Sequence, residues 1–368
     1  MEKLNFECDG IKYSENWLYR GEGNAHLALS LPSLRKVLIF KKQNPQEAGD
    51  ASESFLKSIA FQNKIMKHLF GIYVTRIERV EFLDDLMSFK SQLDGLRPAH
   101  RMHKTLSHNA ILCQDYTCFE EGLDRFVDDD DVYAVEIKPK FGVQSEENCL
   151  FCQKQILKTD EKFQLNQGNI KSPTNYCPKK IFSGEFKLML ESIEDLIENP
   201  QNNFQVYKNG QLVYSENHEI IAFDSVINET FQNREDFKNA ICQMLLANLE
   251  DVQESIDSSD GLPKGCVLKK ILKYQSYYLT NAGNVPDNFD YVGKCLKDFN
   301  ENCLDLESYK LNCPIICKVL GKIVKDCSVM LTFTKQLKKI TAPKRHLIQS
   351  SNGRKILFDV KIFDLYPK

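Results

Sequence analysis

The sequence contains no run of apolar residues long enough to span a bilayer, and it does not begin like a secretory signal peptide, because MEKLNFECDG is acidic and polar. It also lacks an excess of charge of either sign. Lys and Arg number 48 against 51 Asp and Glu, so the net charge is only -3, and no field over the whole protein attracts nucleic acid or a membrane. Internal repeats and low-complexity segments are missing too. We therefore expect a nuclear or cytoplasmic monomer without a nucleic-acid or membrane partner, in which any anion site is local.

Cysteine is plentiful, but its distribution does not predict a disulfide framework. The 13 cysteines are scattered through hydrophobic segments of a long chain, whereas disulfide scaffolds are short and secreted. The closest spacings, Cys149 with Cys152 and Cys313 with Cys317, each lack the second Cys/His pair that a zinc site needs. A zinc site stays open there, but we interpret most cysteines as free thiols and assign no metal ligand to them.

Length and composition predict a large core that is divided between two units. The chain has 368 residues, of which 42% are hydrophobic and 27% are charged, and two domains or lobes are the natural expectation at this length. Strand patterns dominate up to residue 142, whereas helices and longer loops follow. We predict an α+β fold with a β-rich N-terminal unit over residues 1–142 and a larger α+β unit over residues 143–368.

The first unit is predicted to carry a hairpin with a glycine turn. WLYRGEGNAHLALSL and KVLIFKK surround a Gly-x-Gly with apolar and β-branched residues, which predicts three strands. SESFLKSIAFQNKIMKHLFG then predicts a helix with a serine cap and an end at Gly71. The segments NAILCQDYT and DVYAVEIKPKFG return to strand.

The second unit is predicted to mix helices with hairpins. SGEFKLMLESIEDLIEN spaces Phe186, Leu190, Ile193 and Ile197 as the core face of a helix. FQVYKNGQLVYSE predicts a hairpin with Asn-Gly at its turn. Amphipathic helices follow in REDFKNAICQMLLANLEDVQESID and VLKKILKYQSYYLTN. Two last strands are predicted in CSVMLTFTKQ and KILFDVKIFDLYPK, with the turn signal SSNGRK between them.

The stretch AVEIKPKFG places an acid and two lysines on one face of a predicted strand. Side chains at alternate positions share a face, so Glu136, Lys138 and Lys140 point the same way. An exposed edge strand with a solvated charged face is the structural interpretation, because proline is tolerated at such an edge. A site for anions is the functional alternative.

The order of these parts suits a phosphoryl-transfer enzyme of the kinase type. Such an enzyme needs a glycine hairpin over the nucleotide phosphates, cations for the transferred charge, and carboxylates for magnesium and the acceptor hydroxyl. Each part alone is a weak signal, because Gly-x-Gly is usually a plain turn, and Asp326 or Asp364 alone could cap a strand.

Five stretches together resemble the inositol-pentakisphosphate 2-kinase family. They are YRGEGNAHLAL, EIKPKFG, PQNNFQVYKNG, KDCSVMLTF and FDLYPK, and their order and spacing match over essentially the whole chain. The resemblance implies a two-lobed kinase-like fold with an inositide-binding insertion in the C-terminal lobe. It also implies that ATP, with Mg²⁺, donates its γ-phosphoryl group to the axial 2-hydroxyl of inositol 1,3,4,5,6-pentakisphosphate, which gives inositol hexakisphosphate (phytate).

On the nucleotide side, the resemblance implies a glycine loop, a hinge that meets adenine, an acid and an asparagine. The matching residues are Glu22, Gly23 and Asn24 in the loop, Gln114, Asp115 and Tyr116 in the hinge, Glu136 as the acid, and Asn203.

On the inositide side, the resemblance implies a set of cations, because five phosphates form strong charge-assisted hydrogen bonds. The matching residues are Arg97, which has Arg101 close by, Lys140, Lys154 in place of the usual histidine, Lys158, Asn202 and Lys368.

For the chemistry, the resemblance implies three central residues. Asp326 matches the general base that takes the proton of the 2-hydroxyl, and Asp364 matches the carboxylate that binds magnesium. Lys138 matches a lysine that faces phosphate. A base must first lie within hydrogen-bond reach of its proton, and Mg²⁺ usually takes one or two carboxylates beside substrate phosphates.

The sequence also departs from the family. Ile39 stands where an arginine is usual, which leaves Lys41 or Lys42 as substitutes, and Gln205 stands where another arginine often follows QNNF. The sequence stops at Lys368, where relatives continue into an arginine and a tyrosine that touch the inositide, and the zinc ligands of some members have no clear match. A weaker grip on ATP or inositide is therefore expected.

Two alternatives remain at this point. The chain could be a non-catalytic inositol-polyphosphate-binding or scaffold protein derived from such a kinase, or a kinase for another inositol polyphosphate. Retention of Lys138, Lys140, Asp326 and Asp364 favours catalysis, because a pure binder needs neither a base nor a magnesium carboxylate.

Overall fold

The computed structural model describes residues 3–44, 51–127, 131–143, 149–157, 173–250, 261–280, 290–299, 314–335, 337 and 342–367. Within these ranges the strands form two sheets, one of seven strands and one of six. No helix of the described residues is long and apolar enough to cross a membrane.

The first sheet has the strand order β2-β1-β6-β7-β5-β4-β3, and its pairs are antiparallel. Its strands are β1 (Leu4–Cys8), β2 (Ile11–Glu15), β3 (Leu18–Glu22), β4 (His26–Leu31), β5 (Lys36–Gln43), β6 (Glu78–Phe82) and β7 (Thr105–Gln114). The predicted glycine hairpin is confirmed as β3 and β4, and the Gly23 amide donates to the His26 carbonyl across the turn at 2.9 Å. Helix α3 (Leu86–Asp94) packs Phe89 edge-on against Trp17 in the core of this sheet.

A helical segment connects the two sheets. It comprises α1 (Ala51–Phe61), a wider π turn (Gln62–Met66), α2 (Lys67–Phe70) and a 3-10 turn (Gly71–Tyr73). Gly71 ends α2 with a φ of 56°, a left-handed conformation that favours glycine, so the predicted end of this helix is confirmed. Phe61, Ile65 and Phe70 are fully buried in the core under the second sheet. Phe55 of α1 lies in a separate cluster with Val37 and Ile111 of the first sheet, so the segment packs against both sheets.

The second sheet has the order β10-β9-β8-β11-β13-β12 and is also antiparallel. Its strands are β8 (Tyr133–Ile137), β9 (Phe204–Lys208), β10 (Gln211–Tyr214), β11 (Ser328–Thr334), β12 (Leu347–Gln349) and β13 (Lys355–Phe363). The predicted Asn-Gly hairpin is confirmed as β9 and β10, because Asn209 and Gly210 both have positive φ, as a two-residue hairpin turn of this kind requires.

Strand β8 corrects the interpretation of AVEIKPKFG as an exposed edge. It lies between β9 and β11, and all five of its residues are buried. The strand ends at Ile137, so Lys138 and Lys140 belong to the segment that follows, and Lys140 has a φ of 61° rather than an extended backbone. The simple alternation of faces therefore applies to Glu136 but not to Lys140.

Helices cover the second sheet and fill its core. The described helices beyond α1 and α2 are α3 (Leu86–Asp94), α4 (Leu150–Leu157), α5 (Pro178–Ile181), α6 (Phe186–Glu198), α7 (Ile220–Asn228), α8 (Arg234–Leu246), α9 (Val267–Thr280), α10 (Asp290–Asp298) and α11 (Pro314–Val324). In α6 the buried face contains Met189, Ile193, Leu196 and Ile197, whereas Phe186 is exposed, so the predicted core face was wrong at its first residue. Phe186 is the first residue of the helix.

The two sheets divide the chain earlier than the predicted boundary. The first sheet ends with β7 at Gln114, and the second begins with β8 at Tyr133. The end of the predicted N-terminal unit, 1–142, thus contributes a central strand to the second sheet. The division into residues 1–142 and 143–368 stays a prediction.

Candidate active site

Four strand ends meet at one end of the second sheet. Ile137, the last residue of β8, pairs with Phe204 at the start of β9 and with Val329 near the start of β11. Ser328 in turn pairs with Phe363 at the end of β13. The residues just beyond these ends must therefore lie side by side, and they include Lys138, Asn203, Asp326 and Asp364, four of the predicted site residues.

The predicted base and a predicted inositide lysine form an ion pair at this place. Lys140 Nζ lies 3.1 Å from Asp326 Oδ1. The Asp326 side chain is 62% exposed and the Lys140 side chain 18% exposed, so the carboxylate faces solvent while the lysine is largely enclosed. Such a carboxylate is open to an acceptor from outside, and the cation beside it favours its ionised form.

Two residues of the site have left-handed backbones. Lys140 has a φ of 61° and Asp364 a φ of 63°, which costs about 1–3 kcal/mol at a residue other than glycine and persists only where the surroundings hold it. Strain of this kind is concentrated at active sites and ligand clamps. Its occurrence on both sides of the site supports a functional role for the place.

Glu136 is a buried carboxylate inside the site. Ser328 Oγ donates to its Oε1 at 3.0 Å, and Lys138 Nζ lies 3.8 Å from the same atom. Burial raises the pKa of Glu136, the nearby Asp364 carboxylate raises it further, and Lys138 and Ser328 act in the opposite direction. A buried carboxylate whose pKa is raised by a second carboxylate nearby forms a place that favours a cation.

Asn203 supplies unused hydrogen-bonding groups at the same place. Its side chain is buried, and among the described residues neither the Nδ2 nor the Oδ1 atom has a hydrogen-bond partner. Its carbonyl accepts from the Lys138 amide at 2.9 Å, which fixes the residue against the strand end. Because buried amides are nearly always satisfied, Asn203 indicates a ligand, and its oxygen suits Mg²⁺. Asn202, beside it, is exposed.

The glycine loop is anchored by a buried ion triad. Glu22 accepts from Lys42 and from Arg97, and the three side chains are 1%, 0% and 3% exposed. Burial alone would raise the pKa of Glu22, but the hydrogen bonds from Arg97 and Lys42 bring it below its usual value. The Glu22 side chain therefore holds the loop from behind, and only Gly23 and Asn24 of the predicted trio are exposed towards a ligand.

Arg97 departs from the inositide-clamping role that the resemblance implies. Its guanidinium also donates to Asp94 and to the carbonyls of Arg101 and Lys104, at 2.9–3.0 Å. Arg97 is thus turned into the protein. Arg101 and Lys104 reach the loop and donate to Asn24, and Lys42 donates to the Gly23 carbonyl at 2.9 Å.

The predicted hinge is built from buried side chains. Asp115 accepts from Arg20 at 2.6 Å and from the amide and hydroxyl of Thr117 at 2.9 and 2.6 Å. Tyr116 Oη lies 2.7 Å from Thr75 Oγ1, and burial raises the Tyr116 pKa. These side chains shape the hinge, and of its three residues only Gln114 is partly exposed.

Other cations lie near Ile39 and Gln205, the two positions where the family usually has arginine. A cavity of ≈ 120 Å³ beneath β4 and β5 is lined by Ile39, Lys41, His26 and Tyr366, among others. Of the two substitutes considered for Ile39, both Lys41 and Lys42 line this cavity, but Lys42 also belongs to the buried triad.

Gln205 lies opposite Glu136 and accepts from Tyr207 at 2.6 Å. The guanidinium of Arg20 lies 5.4 Å from the centre of the Tyr207 ring. The sequence reasoning quoted Arg20 within YRGEGN but assigned it no role, because nothing local indicates that it meets β9.

Three cysteines form a cluster that the sequence did not reveal. Ligand atoms of Cys149, Cys152 and Cys177 all lie within 4.8 Å of one another. All three are free thiols, as predicted, and together they supply three of the four ligands that a tetrahedral zinc site uses, so the open alternative of a zinc site stays a prediction. Cys177 lies far along the chain, which is why spacing did not indicate it. A hydrogen bond from Cys177 lowers the Cys149 pKa to about 5.

Three predicted residues remain. Lys154 is exposed on α4. Lys158 and Lys368 lie outside the described residues.

Comparison with known proteins gives one consistent result. The family model described as inositol-pentakisphosphate 2-kinase matches residues 19–368. A protein of that name from Arabidopsis thaliana is 24% identical over 382 residues, which cover 88% of this chain and 82% of the relative. One from Danio rerio is 29% identical over 55% of this chain and 45% of its own length. One from Oryza sativa subsp. indica is 28% identical over 70% of this chain and 66% of its own length. The family match contains every strand end of the site.

Proposed function

The chain belongs to the inositol-pentakisphosphate 2-kinase family, and from that premise we propose how it acts. It transfers the γ-phosphoryl group of ATP to the 2-hydroxyl of inositol 1,3,4,5,6-pentakisphosphate and releases inositol hexakisphosphate. The observation that carries the proposal is the meeting of Lys138, Asn203, Asp326 and Asp364 at one end of the second sheet. These residues are separated by up to 226 positions, which is the difference between 364 and 138, yet the strand register brings them together, which supports a shared site.

In the proposed reaction Asp326 accepts the proton of the 2-hydroxyl as that oxygen attacks the γ-phosphorus. Its exposed carboxylate and its ion pair with Lys140 support this role, because the base must be ionised and within reach of the acceptor. Lys140 then holds a phosphate of the inositide next to the reacting hydroxyl. The base and the residue that holds the inositide thus lie on two segments that contact each other through this ion pair.

Lys138 stabilises the charge of the transferred phosphoryl group. Its ammonium is partly enclosed beside Glu136, and a cation in such a place is worth more than one in water. In phosphoryl transfer, positioning and electrostatic stabilisation supply almost all of the catalysis.

Magnesium fits the residues on the nucleotide side. Asp364, buried Glu136 and the unsatisfied oxygen of Asn203 supply the oxygen ligands that Mg²⁺ prefers. The ion would neutralise charge on the phosphates of bound ATP. Asp364 is the proposed direct ligand, and Glu136 and Asn203 orient the nucleotide side.

ATP lies between the glycine loop and the hinge in this proposal. Gly23 leaves the loop backbone open, since a Cβ there would meet nothing within 4 Å. Lys41 and Arg20 supply cations near the cavity and near β9 in place of the missing arginines. The two sheets would then be the two lobes of a kinase-like fold. A monomer in the nucleus or cytoplasm, with only small-molecule partners, stays a prediction.

The test is transfer of radiolabelled γ-phosphate from ATP and Mg²⁺ to inositol 1,3,4,5,6-pentakisphosphate, resolved by ion-exchange chromatography. We expect a hexakisphosphate product from the wild type and none above background from Asp326→Asn. Glu198→Gln, which changes an exposed carboxylate at the end of α6, is the matched control and should act like the wild type. No product from the wild type would refute the proposal, and full activity of Asp326→Asn would remove the base role.

A further inference from the structure

A buried glutamine links the two segments that carry the ion pair of the site. Gln275 lies on α9 and its side chain is fully buried, with 0% exposure. Its Nε2 donates to the carbonyl of Lys140 at 2.7 Å and to the carbonyl of Val324 at 3.2 Å. Its Oε1 accepts from the amide of Gly142 at 2.8 Å. One side chain thus bonds to the segment of Lys140 on one side and to the end of α11, two residues before Asp326, on the other.

These three bonds leave the Gln275 amide only one orientation. The Gly142 N–H must face an acceptor, and the two carbonyls must each face a donor, so a reversed amide would oppose like groups at all three positions. The two hydrogens of a single NH₂ group bridge the two carbonyls. A side chain of this kind sets a distance between segments as well as filling space.

The backbone around Gln275 is packed to allow this reach. A Cβ at Gly321 in α11 would lie 2.5 Å from the Tyr278 amide nitrogen of α9, so glycine permits the close approach of the two helices. Lys325 Nζ lies 4.3 Å from the centre of the Tyr278 ring, which links the residue before Asp326 to the same helix. Helix α9 is therefore held closely against the segment that carries the predicted base.

The Lys140 segment is held from its other side as well. Tyr176 Oη donates to the carbonyl of Pro139 at 2.8 Å. With Tyr176 bound to one carbonyl and Gln275 to the next, the left-handed conformation of Lys140 is fixed at consecutive residues. This accounts for how a lysine keeps a φ of 61° at the site.

We propose that Gln275 is a positioning residue for phosphoryl transfer, which sets the distance between the Lys140 ammonium and the Asp326 carboxylate. The inference rests on the proposed function. Gln275 touches neither substrate in it, and acts only through the two backbone segments. A merely structural role predicts lost stability, whereas a positioning role predicts a loss in turnover that depends on Lys140.

The central variant is Gln275→Glu, which keeps the shape and the acceptor for Gly142 but removes both donors. Near neutral pH its carboxylate would face two carbonyl oxygens, so the two segments should move apart. A misplacement on the order of 1 Å costs about 100-fold in rate, and we expect kcat to fall by about 10-fold or more with the KM for ATP unchanged. At lower pH, protonation of this glutamate restores one donor, so kcat relative to wild type should rise.

The matched control is Gln243→Glu, the same change on the neighbouring helix α8, where Nε2 makes one long bond of 3.4 Å to the Gln349 carbonyl. A kcat for Gln275→Glu equal to that of this control would overturn the proposal. A parallel loss of kcat, ATP affinity and thermal stability would overturn it in favour of a structural role. If Gln275→Glu does not fold, the same criteria apply to Gln275→Met, which is similar in volume and carries no charge.

A double-mutant cycle separates the two roles further. If Gln275 acts through Lys140, Gln275→Glu should cost less in a Lys140→Ala background than in the wild type, whereas fully additive effects would overturn the proposal. The wild-type assay is carried out first, because absence of transfer there refutes the proposed function and not the positioning. In that case the affinity for inositol pentakisphosphate is compared by calorimetry. Weaker binding by Gln275→Glu than by Gln243→Glu supports the positioning of Lys140, and equal binding overturns it.

Discussion

Removal of the Glu22 charge should lower the free energy of unfolding of the first sheet, which carries the glycine loop. Glu22 is enclosed with Lys42 and Arg97, and each of the three side chains is at most 3% exposed. Glu22→Gln keeps the shape of the side chain but leaves two cations buried without their anion. Breaking a buried ion pair by removal of one partner costs about 3–5 kcal/mol.

The structure places the expected loss near the low end of that range. Lys42 keeps its bond to the Gly23 carbonyl at 2.9 Å, and Arg97 keeps Asp94 and two carbonyls. We therefore expect a loss of about 3 kcal/mol in the free energy of unfolding. At a slope of about 3 kcal/mol per molar urea, the midpoint should fall by about 1 M.

The protein contains its own probe for this measurement. Trp17 is the one tryptophan of the sequence, and it is buried in the core of the first sheet against Phe89. Its fluorescence in urea therefore reports the sheet that carries the loop. Glu81→Gln is the control, because Glu81 is 67% exposed and lies 3.7 Å from Arg79, where a surface pair is worth about 0–1 kcal/mol.

The pH dependence of this loss has a definite sign. The pKa of Glu22 is lowered by folding from its ordinary value of 4.5, so its ion pairs stabilise the protein fully above that value and less as the pH falls through the lowered one. The wild type should approach the stability of Glu22→Gln as the pH falls below 4.5. Equal urea midpoints for Glu22→Gln and Glu81→Gln at neutral pH would refute the triad as an anchor.

Three further outcomes are expected. Lys140→Ala should weaken binding of inositol pentakisphosphate in calorimetry, with a loss that shrinks at high salt because the interaction is electrostatic; unchanged affinity at low salt would contradict this. Asn203→Ala should lower kcat/KM for ATP without lowering the melting temperature, because the side-chain amide of Asn203 makes no hydrogen bond among the described residues. A lower melting temperature with unchanged kinetics would contradict the ligand role. Cys177→Ala should slow the alkylation of Cys149 at pH 6, followed by mass spectrometry, because it removes the Cys177 hydrogen bond, the largest cause that lowers the Cys149 pKa to about 5. Equal rates would argue against the cluster.

The local elements were predictable because their causes are local. The hairpins at Gly23 and at Asn209-Gly210, and the helix end at Gly71, depend on backbone conformations that few residues adopt. The strands predicted in DVYAVEIKPKFG, CSVMLTFTKQ and KILFDVKIFDLYPK, which are β8, β11 and β13, followed from apolar and β-branched runs of the right length. These signals lie within a few residues of the structure they specify.

Depth and orientation were not predictable in the same way. AVEIKPKFG has the charges of an edge strand, yet β8 is central because β9 and β11 pair with its two sides. The motif around Arg97 suggested an exposed arginine that clamps the inositide. Its side chain is buried instead, because the guanidinium donates to Glu22, 75 positions earlier. Neither partner is visible from the neighbouring residues.

By itself the sequence determined the elements, the family motifs and the residue types that phosphoryl transfer needs. Only the tertiary structure decided that four of those residues lie at one end of a sheet, that Cys177 joins Cys149 and Cys152, and that Gln275 spans the Lys140 and Asp326 segments. The physical reason is the range of the interactions. Turn and strand preferences act between neighbours, whereas hydrogen bonds, ion pairs and burial join residues whose separation along the chain carries no signal.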